Sequence, residues 1–84
     1  MKLDPAIIEL DLHGLRTQEA IAKIEKAVEQ AGRGTYRIRL IHGYHGGTRI
    51  KEAIVEEFSY GRNDRVKRIV PGSNEGITEL ILRD

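Results

Sequence analysis

The chain of 84 residues contains no cysteine, and this absence limits both its architecture and its chemistry. Without cysteine there are no disulfide bonds and no thiolate nucleophiles, and histidine and carboxylate side chains are the remaining metal ligands. The sequence also lacks an apolar run near the roughly 20 residues that a membrane-spanning helix needs. The first five residues do not follow the pattern of a signal peptide. We therefore expect a cytoplasmic protein without a membrane partner.

An excess of charge of one sign is also missing. The sequence has 14 Lys and Arg against 13 Asp and Glu, which gives a formal net charge of +1. A net charge this small does not indicate nucleic-acid binding by itself, so the distribution of the charges matters more. At this length we expect a single domain over residues 1–84 that buries roughly 60–65% of the surface of its unfolded chain. Such a domain has one core and little room for a deep pocket.

The pattern of apolar residues predicts the element order β-α-β-α-β-β. Alternation over residues 7–12 and 36–41 is typical of half-buried strands. Each of these segments is followed by apolar residues at helical spacing, with Thr17 and Thr48 as predicted N-caps and glycines at the predicted ends. Residues 66–70 and 78–82 predict two more strands, and the turn-rich segment between them predicts an antiparallel hairpin.

These elements predict an α/β fold, a two-layer sandwich. A four-stranded mixed sheet would carry two helices on one face, and its other face would be polar. The first two strands are expected to be parallel, because strand-helix-strand crossovers are almost always right-handed. The predicted core consists of Leu10, Leu12, Ile21, Ile24, Val28, Ile38, Leu40, Ile54 and Phe58.

Two strand-to-helix junctions carry the same dipeptide, His-Gly. The first is Leu10-Asp11-Leu12-His13-Gly14 and the second is Leu40-Ile41-His42-Gly43. The carboxyl ends of parallel neighbouring strands lie at the same edge of the sheet, where ligands of open α/β sheets bind. Imidazoles exchange protons near neutral pH, and a carboxylate can orient an imidazole. Asp11, His13 and His42 are therefore the candidate catalytic residues.

Each of the three has a structural interpretation that the sequence leaves open. Asp11 could pair across the sheet with Arg37 or Arg39, or cap the turn at Gly14. His13 could close that turn through a hydrogen bond. The alternation of the strand places His42 on the same face as the apolar residues before it, which favours a buried, hydrogen-bonded imidazole. Two imidazoles and a carboxylate are also a known iron ligand set. The parity of His42 argues against that set, and we expect no metal and no cofactor.

The two motifs together also resemble a known family. Leu10-Asp11-Leu12-His13-Gly14 and the later Ile41-His42-Gly43, each followed by a helix, are similar to the two signatures of the small MutS-related (Smr) domain. The resemblance covers residues 7–82 and implies a fold similar to the C-terminal domain of the third bacterial initiation factor. It also implies a nucleic-acid-binding domain, often with endonuclease activity on DNA or RNA, and an ATPase or other domain partner in larger relatives.

One loop departs from that family. The family loop usually reads His-Gly-X-Gly-X-Gly, whereas here His45 stands where the second glycine is expected, unless the loop is one residue longer. Glycines in such a loop let backbone N–H groups approach a phosphate at a helix N-terminus. Cations at the rim would position phosphates, and Tyr44 could stack on a base. The candidate nucleic-acid-binding residues are Gly14, Arg16, Gly43, Tyr44, His45, Gly46, Gly47, Arg49 and Lys51.

The sequence thus predicts a nucleic-acid-binding domain with endonuclease activity on DNA or RNA. The alternative is a binding module that recognises backbone phosphates and performs no chemistry. Further cations, Arg62, Arg65, Lys67 and Arg68, surround the third predicted strand. They extend the predicted phosphate-binding rim or serve as solvated surface charge.

Overall fold

The elements follow one another in the predicted order, β-α-β-α-β-β. A computed structural model describes residues 4–43, 49–59 and 61–83 of the chain. The strands are β1 (Ile7–Asp11), β2 (Arg37–Ile41), β3 (Arg68–Pro71) and β4 (Ile77–Ile81), and the helices are α1 (Thr17–Gln30) and α2 (Arg49–Phe58). The predicted N-cap Thr48 lies outside the described residues.

The four strands form one mixed sheet in the order β1-β2-β4-β3. β1 and β2 are parallel, as predicted, and β4 runs antiparallel to both of its neighbours, β2 and β3. The hairpin expected from the last two strands is therefore confirmed. Because β1 and β2 point the same way, their carboxyl ends meet at one edge, which we call the carboxyl edge. It carries Asp11 and Ile41, which are paired in register.

A single apolar core lies between the helices and one face of the sheet. Seven of the nine predicted core residues are buried, while Leu10 and Ile21 are partly buried and pack against that cluster. The prediction missed three core residues, Ala20, Val66 and Leu80. Leu80 is buried because it pairs with Ile38 on one side and Ile69 on the other, at the centre of the helix-covered face.

Helix α1 begins one residue earlier than predicted. Thr17 is its first residue, not its N-cap; the N-cap is Arg16. The backbone N–H of Arg16 donates to Glu19 Oε1 at 3.1 Å, so the side chain of Glu19 satisfies this amide from within the first turn. The helix ends at Gln30, before the predicted glycine stop, and the amide of Ala31 donates to Val28 O.

Two arginines assigned to a possible cationic rim cap helix C-termini. Arg65 Nη1 donates to the carbonyl oxygens of Val28 at 2.9 Å and Glu29 at 2.5 Å, at the end of α1. Arg62 donates in the same way to Glu56 O near the end of α2. The last carbonyls of a helix lack partners within it and carry partial negative charge, so a guanidinium there stabilises the helix. Neither helix has a basic residue in its own last turn.

Candidate functional site

Asp11 and His13 form a pair at the carboxyl edge. Asp11 Oδ1 accepts the backbone N–H of His13 at 3.2 Å and also contacts His13 Nδ1. Gly14 follows with φ +79, a left-handed conformation that favours glycine, and the amide of Leu15 closes the turn onto Leu12 O at 3.2 Å. The tight turn therefore brings the imidazole back over the carboxylate that precedes it.

This pairing fixes the protonation pattern of both groups. The hydrogen bond from the His13 side chain, followed by that from its backbone amide, holds the pKa of the Asp11 carboxyl below its usual value. A carboxylate only accepts hydrogen bonds, so His13 Nδ1 carries the proton and Nε2 of the neutral ring is the basic atom. The side chains of His13 and Asp11 are 70% and 59% exposed. The pair therefore presents an oriented base to solvent.

His42 occupies the opposite face of the sheet. Its side chain is buried, as its parity with Ile38 and Leu40 indicated. Nε2 lies 2.8 Å from Thr78 Oγ1, and Nδ1 lies 3.1 Å from the carbonyl oxygen of Gly43. The carbonyl accepts, so Nδ1 donates to it and Nε2 of the neutral ring accepts the Thr78 hydroxyl proton. Both nitrogens are engaged within the fold, which gives His42 the contacts of a structural residue.

The two His-Gly junctions nevertheless lie side by side. Gly43 has φ +82, and a Cβ added there would lie 3.6 Å from the Cβ of His13. The amides of His42 and Gly43 both donate to the carbonyl oxygen of Gly76, at 2.9 and 3.0 Å. The turn before β4 thus holds the backbone of the second junction through two hydrogen bonds. The amide hydrogen of Gly43 is consequently already engaged within the fold, although the sequence suggested it as a phosphate donor.

The structure does not bear out the alternative in which Asp11 pairs with Arg37 or Arg39, because both arginines contact glutamates. Glu9, Arg39 and Glu79 lie side by side on the open face, whereas Asp11 is level with Ile41. Arg39 contacts Glu79 at 3.1 Å and Glu9 at 3.2 Å, and Arg37 also contacts Glu79. These carboxylates, Glu79 first, raise the pKa of Arg39. The Asp11 carboxylate interacts with His13 instead.

The predicted phosphate-binding residues that the structure describes are placed where helices begin. Arg16 is the exposed N-cap of α1, and Arg49 and Lys51 are exposed in the first turn of α2. Gly14 is exposed in the turn beside His13. The prediction also named Tyr44, His45, Gly46 and Gly47, which lie outside the described residues. Gly14 and Arg16 thus follow the Asp11–His13 pair directly along the chain, whereas Arg49 and Lys51 come after a segment outside the described residues.

A lysine absent from the predicted site also reaches this edge. The sequence predicts an ion pair between Glu19 and Lys23, four residues apart on α1. In the structure Glu19 accepts the amide of Arg16, and Lys23 Nζ donates to the backbone carbonyl of Asp11 at 3.3 Å. The signal that could have found this contact is topological. A helix that follows a strand and returns over the sheet passes close to the end of that strand.

The described residues can also be examined for a metal site and for a membrane-spanning helix. Within residues 4–43, 49–59 and 61–83, no three His, Asp or Glu side chains are arranged to hold a metal ion. In particular, Asp11 and His13 lie on one face of the sheet and His42 on the other. Neither helix in the described part of the chain is long and apolar enough to cross a membrane.

Comparisons with known proteins agree with this fold and motif pattern. Residues 10–76 match the Smr domain family. The chain is 36% identical over 76 residues to Endonuclease MutS2 of Exiguobacterium sibiricum, an alignment that covers 89% of this chain and 9% of that protein. The structure of this chain is similar to the crystal structure of the Smr domain of Thermus thermophilus MutS2. The TM-score is 0.79 at 32% identity, covering 92% of this chain and 99% of the other.

Proposed function

Because this chain belongs to the Smr domain family, we propose that it is a nucleic-acid-binding domain that cleaves phosphodiester bonds as an endonuclease on DNA or RNA. The observation that carries the proposal is the exposed pair of Asp11 and His13 at the carboxyl edge. An oriented imidazole on a largely exposed side chain is the kind of group that general base catalysis requires. The similarity to a MutS2 endonuclease supports the same reaction class.

The reaction is a displacement at phosphorus in which His13 is the base. His13 Nε2 takes a proton from the attacking hydroxyl, which belongs to water or, in RNA, to the neighbouring ribose. The attacking oxygen forms a bond to phosphorus, the ester bond on the opposite side breaks, and the leaving oxygen takes a proton from solvent, to which the imidazolium afterwards returns its own. Asp11 keeps the ring in the required tautomer and stabilises the imidazolium that forms. His42 holds the adjacent junction in place through Thr78 and Gly43.

The groups near the Asp11–His13 pair would bind the phosphate. Helix N-termini carry unpaired N–H groups and a partial positive charge, which favour a phosphate. Helix α1 follows the carboxyl end of β1 along the chain and α2 follows that of β2, and Arg16, Arg49 and Lys51 are exposed cations at the starts of these helices. These groups would also stabilise the negative charge that develops on the phosphoryl oxygens.

The test is a cleavage assay on labelled single-stranded RNA, duplex DNA and branched DNA, each with and without a chelator. We expect the wild type to cut at least one substrate and His13→Ala to lose about 10²- to 10⁴-fold in rate, the usual contribution of a general base. Glu9→Gln is the matched control, since Glu9 is an exposed carboxylate on the same strand and face, two residues from Asp11. It should cut at the wild-type rate. Full activity of folded His13→Ala would contradict the proposal.

A non-catalytic binding module is the second candidate, and one observation favours it. Of the three residues predicted to perform chemistry, only two are joined, and His42 is buried with both ring nitrogens engaged. Among the described residues, the carboxyl edge thus presents one imidazole, whereas a mechanism with a separate general base and general acid would use two. Tight, salt-dependent binding of all three substrates without cleavage would establish this alternative.

The relatives suggest a setting for the domain. The chain spans 9% of the length of the MutS2 relative it matches. We infer that the domain acts beside a partner, an ATPase or another domain, that delivers the nucleic acid. A domain that binds through a few surface cations gains effective concentration when a partner holds the same strand.

A further inference from the structure

The side chain of Lys23 links helix α1 to the end of β1. Its Nζ donates to the backbone carbonyl oxygen of Asp11 at 3.3 Å, across twelve residues of sequence. Asp11 is the last residue of its strand, and the peptide that follows it is held on both sides: the amide of Leu12 donates to Ile41 O at 2.7 Å, and Lys23 donates to the carbonyl oxygen of Asp11. The orientation of the carboxylate depends on how this last peptide is held. Lys23 is therefore in a position to fix the backbone that carries the Asp11–His13 pair.

The neighbours of Lys23 explain why its ammonium points to the strand. Glu19, one turn earlier on α1, would be its usual helical partner. The carboxylate of Glu19 is engaged with the amide of Arg16 at 3.1 Å, where it helps to cap the helix. The ammonium has three donor hydrogens, and the Asp11 carbonyl takes one of them. The capping arrangement at the start of α1 thus favours the contact with β1.

The charges around Asp11 come from two elements. His13 faces it from the turn after β1, and Lys23 faces it from α1; both favour the ionised carboxylate and lower the pKa of Asp11, with the His13 hydrogen bond the largest cause. On the open face, the residue level with Asp11 on β2 is the apolar Ile41. The carboxylate of Glu9 is held by Arg39 at 3.2 Å. Among the described residues, Lys23 is thus the one cation outside the pair that acts on Asp11.

We propose that Lys23 is a positioning residue for the Asp11–His13 pair, holding the end of β1 so that the Asp11 carboxylate stays aligned with His13 Nδ1. This role rests on the proposed function, because it matters for catalysis only if the pair performs it. Lys23 acts through Asp11. Its loss should therefore lower the catalytic rate and leave the affinity for nucleic acid almost unchanged.

The experiment compares three variants. Lys23→Met removes the charge and the hydrogen bond but keeps an unbranched stem, Lys23→Arg keeps a cation, and Lys26→Met removes an exposed lysine from the same helix. We expect Lys23→Met to lose about tenfold in kcat with KM little changed, since a misplacement of about 1 Å costs up to roughly a hundredfold. Lys23→Arg should recover most of the rate, and Lys26→Met should match the wild type. All are surface changes and should keep the wild-type fold.

A second readout separates this proposal from the proposed function. Long-range proton–nitrogen NMR through the carbon-bound ring hydrogens reports which nitrogen of His13 is protonated, and the Nδ1–H tautomer should dominate in the wild type and lose that dominance in Lys23→Met. The carboxyl titration of Asp11 should also move to higher pH in that variant, because a stabilising cation has been removed. Both signals are visible in an inactive protein. If they are unchanged in folded Lys23→Met, the positioning role is wrong even when the nuclease activity is real.

Discussion

At the scale of single residues, the geometry of the site depends on three positions within a stretch of four residues. Asp11 supplies a carboxylate, His13 follows two residues later, and Gly14 adopts the left-handed conformation that folds the turn back. The contact between Asp11 and His13 is local in sequence, since it joins residues two positions apart. For the same reason the alternation of the sequence could predict that the two side chains share a patch.

His42 illustrates the opposite case, in which an imidazole is part of the packing. We expect His42→Ala to destabilise the protein by about 2–4 kcal/mol, because it opens a cavity and leaves the buried Thr78 hydroxyl without its partner. Urea unfolding measures the loss. Thr78→Val, which removes the hydroxyl and keeps the shape, should cost less. His13→Ala, at an exposed position, should stay within about 0.5 kcal/mol of the wild type. A His42→Ala protein as stable as the wild type would show that these hydrogen bonds do not hold the junction.

At the scale of elements, the helices could be predicted more completely than the contacts between strands. The apolar stripes of α1 and α2 repeat at helical spacing, and that local period places Val28 and Phe58 in the core. The pairing of Glu79 with Arg37 and Arg39 spans about forty residues and depends on the register of β4. The contact of Arg65 with the end of α1 is similarly remote. Nothing in the local pattern of either segment specifies such a partner.

Helix α2 provides a direct test of this packing. Phe58 is 2% exposed, and truncation to Ala should cost about 3–5 kcal/mol. A domain of this size is stable by only about 5–8 kcal/mol, so the thermal unfolding transition should fall sharply or disappear. Val55→Ala, three residues earlier on the same helix and at a side chain 41% exposed, is the control and should change stability by about 0.5 kcal/mol or less. Equal melting temperatures for the two variants would mean that the buried face of α2 is wrongly assigned.

At the scale of the whole molecule, the parallel pairing of β1 and β2 is what gathers the site. It brings Asp11, His13 and Gly43 to one edge. This convergence could be predicted, because right-handed crossovers fix the direction of the strands. The role of each histidine could be predicted only as a set of alternatives. The face to which each side chain points, and the groups that satisfy the ring nitrogens of His42, namely the Thr78 hydroxyl and the Gly43 carbonyl, depend on contacts that form only in the folded protein.

Binding at this edge should depend strongly on salt. Each phosphate neutralised by a cation releases condensed counterions, so the logarithm of the binding constant falls linearly with the logarithm of the salt concentration. If Lys51 contacts one phosphate, Lys51→Ala should reduce that slope by about one unit. Lys26→Ala is the control, because Lys26 lies about 14 Å along α1 from its start. Fluorescence anisotropy at several salt concentrations measures both. An unchanged slope for Lys51→Ala would remove that residue from the interface.

If Asp11 and His13 act as one catalytic unit, a double-mutant cycle should show that their contributions to the cleavage rate are not additive. Single-turnover cleavage rates are measured for the wild type, Asp11→Asn, His13→Ala and the double variant, all with saturating protein. If Asp11 works through His13, the double variant should be no slower than His13→Ala alone, because residues of one unit are strongly non-additive. Losses that multiply in the double variant would show that the two residues act independently and would contradict the account.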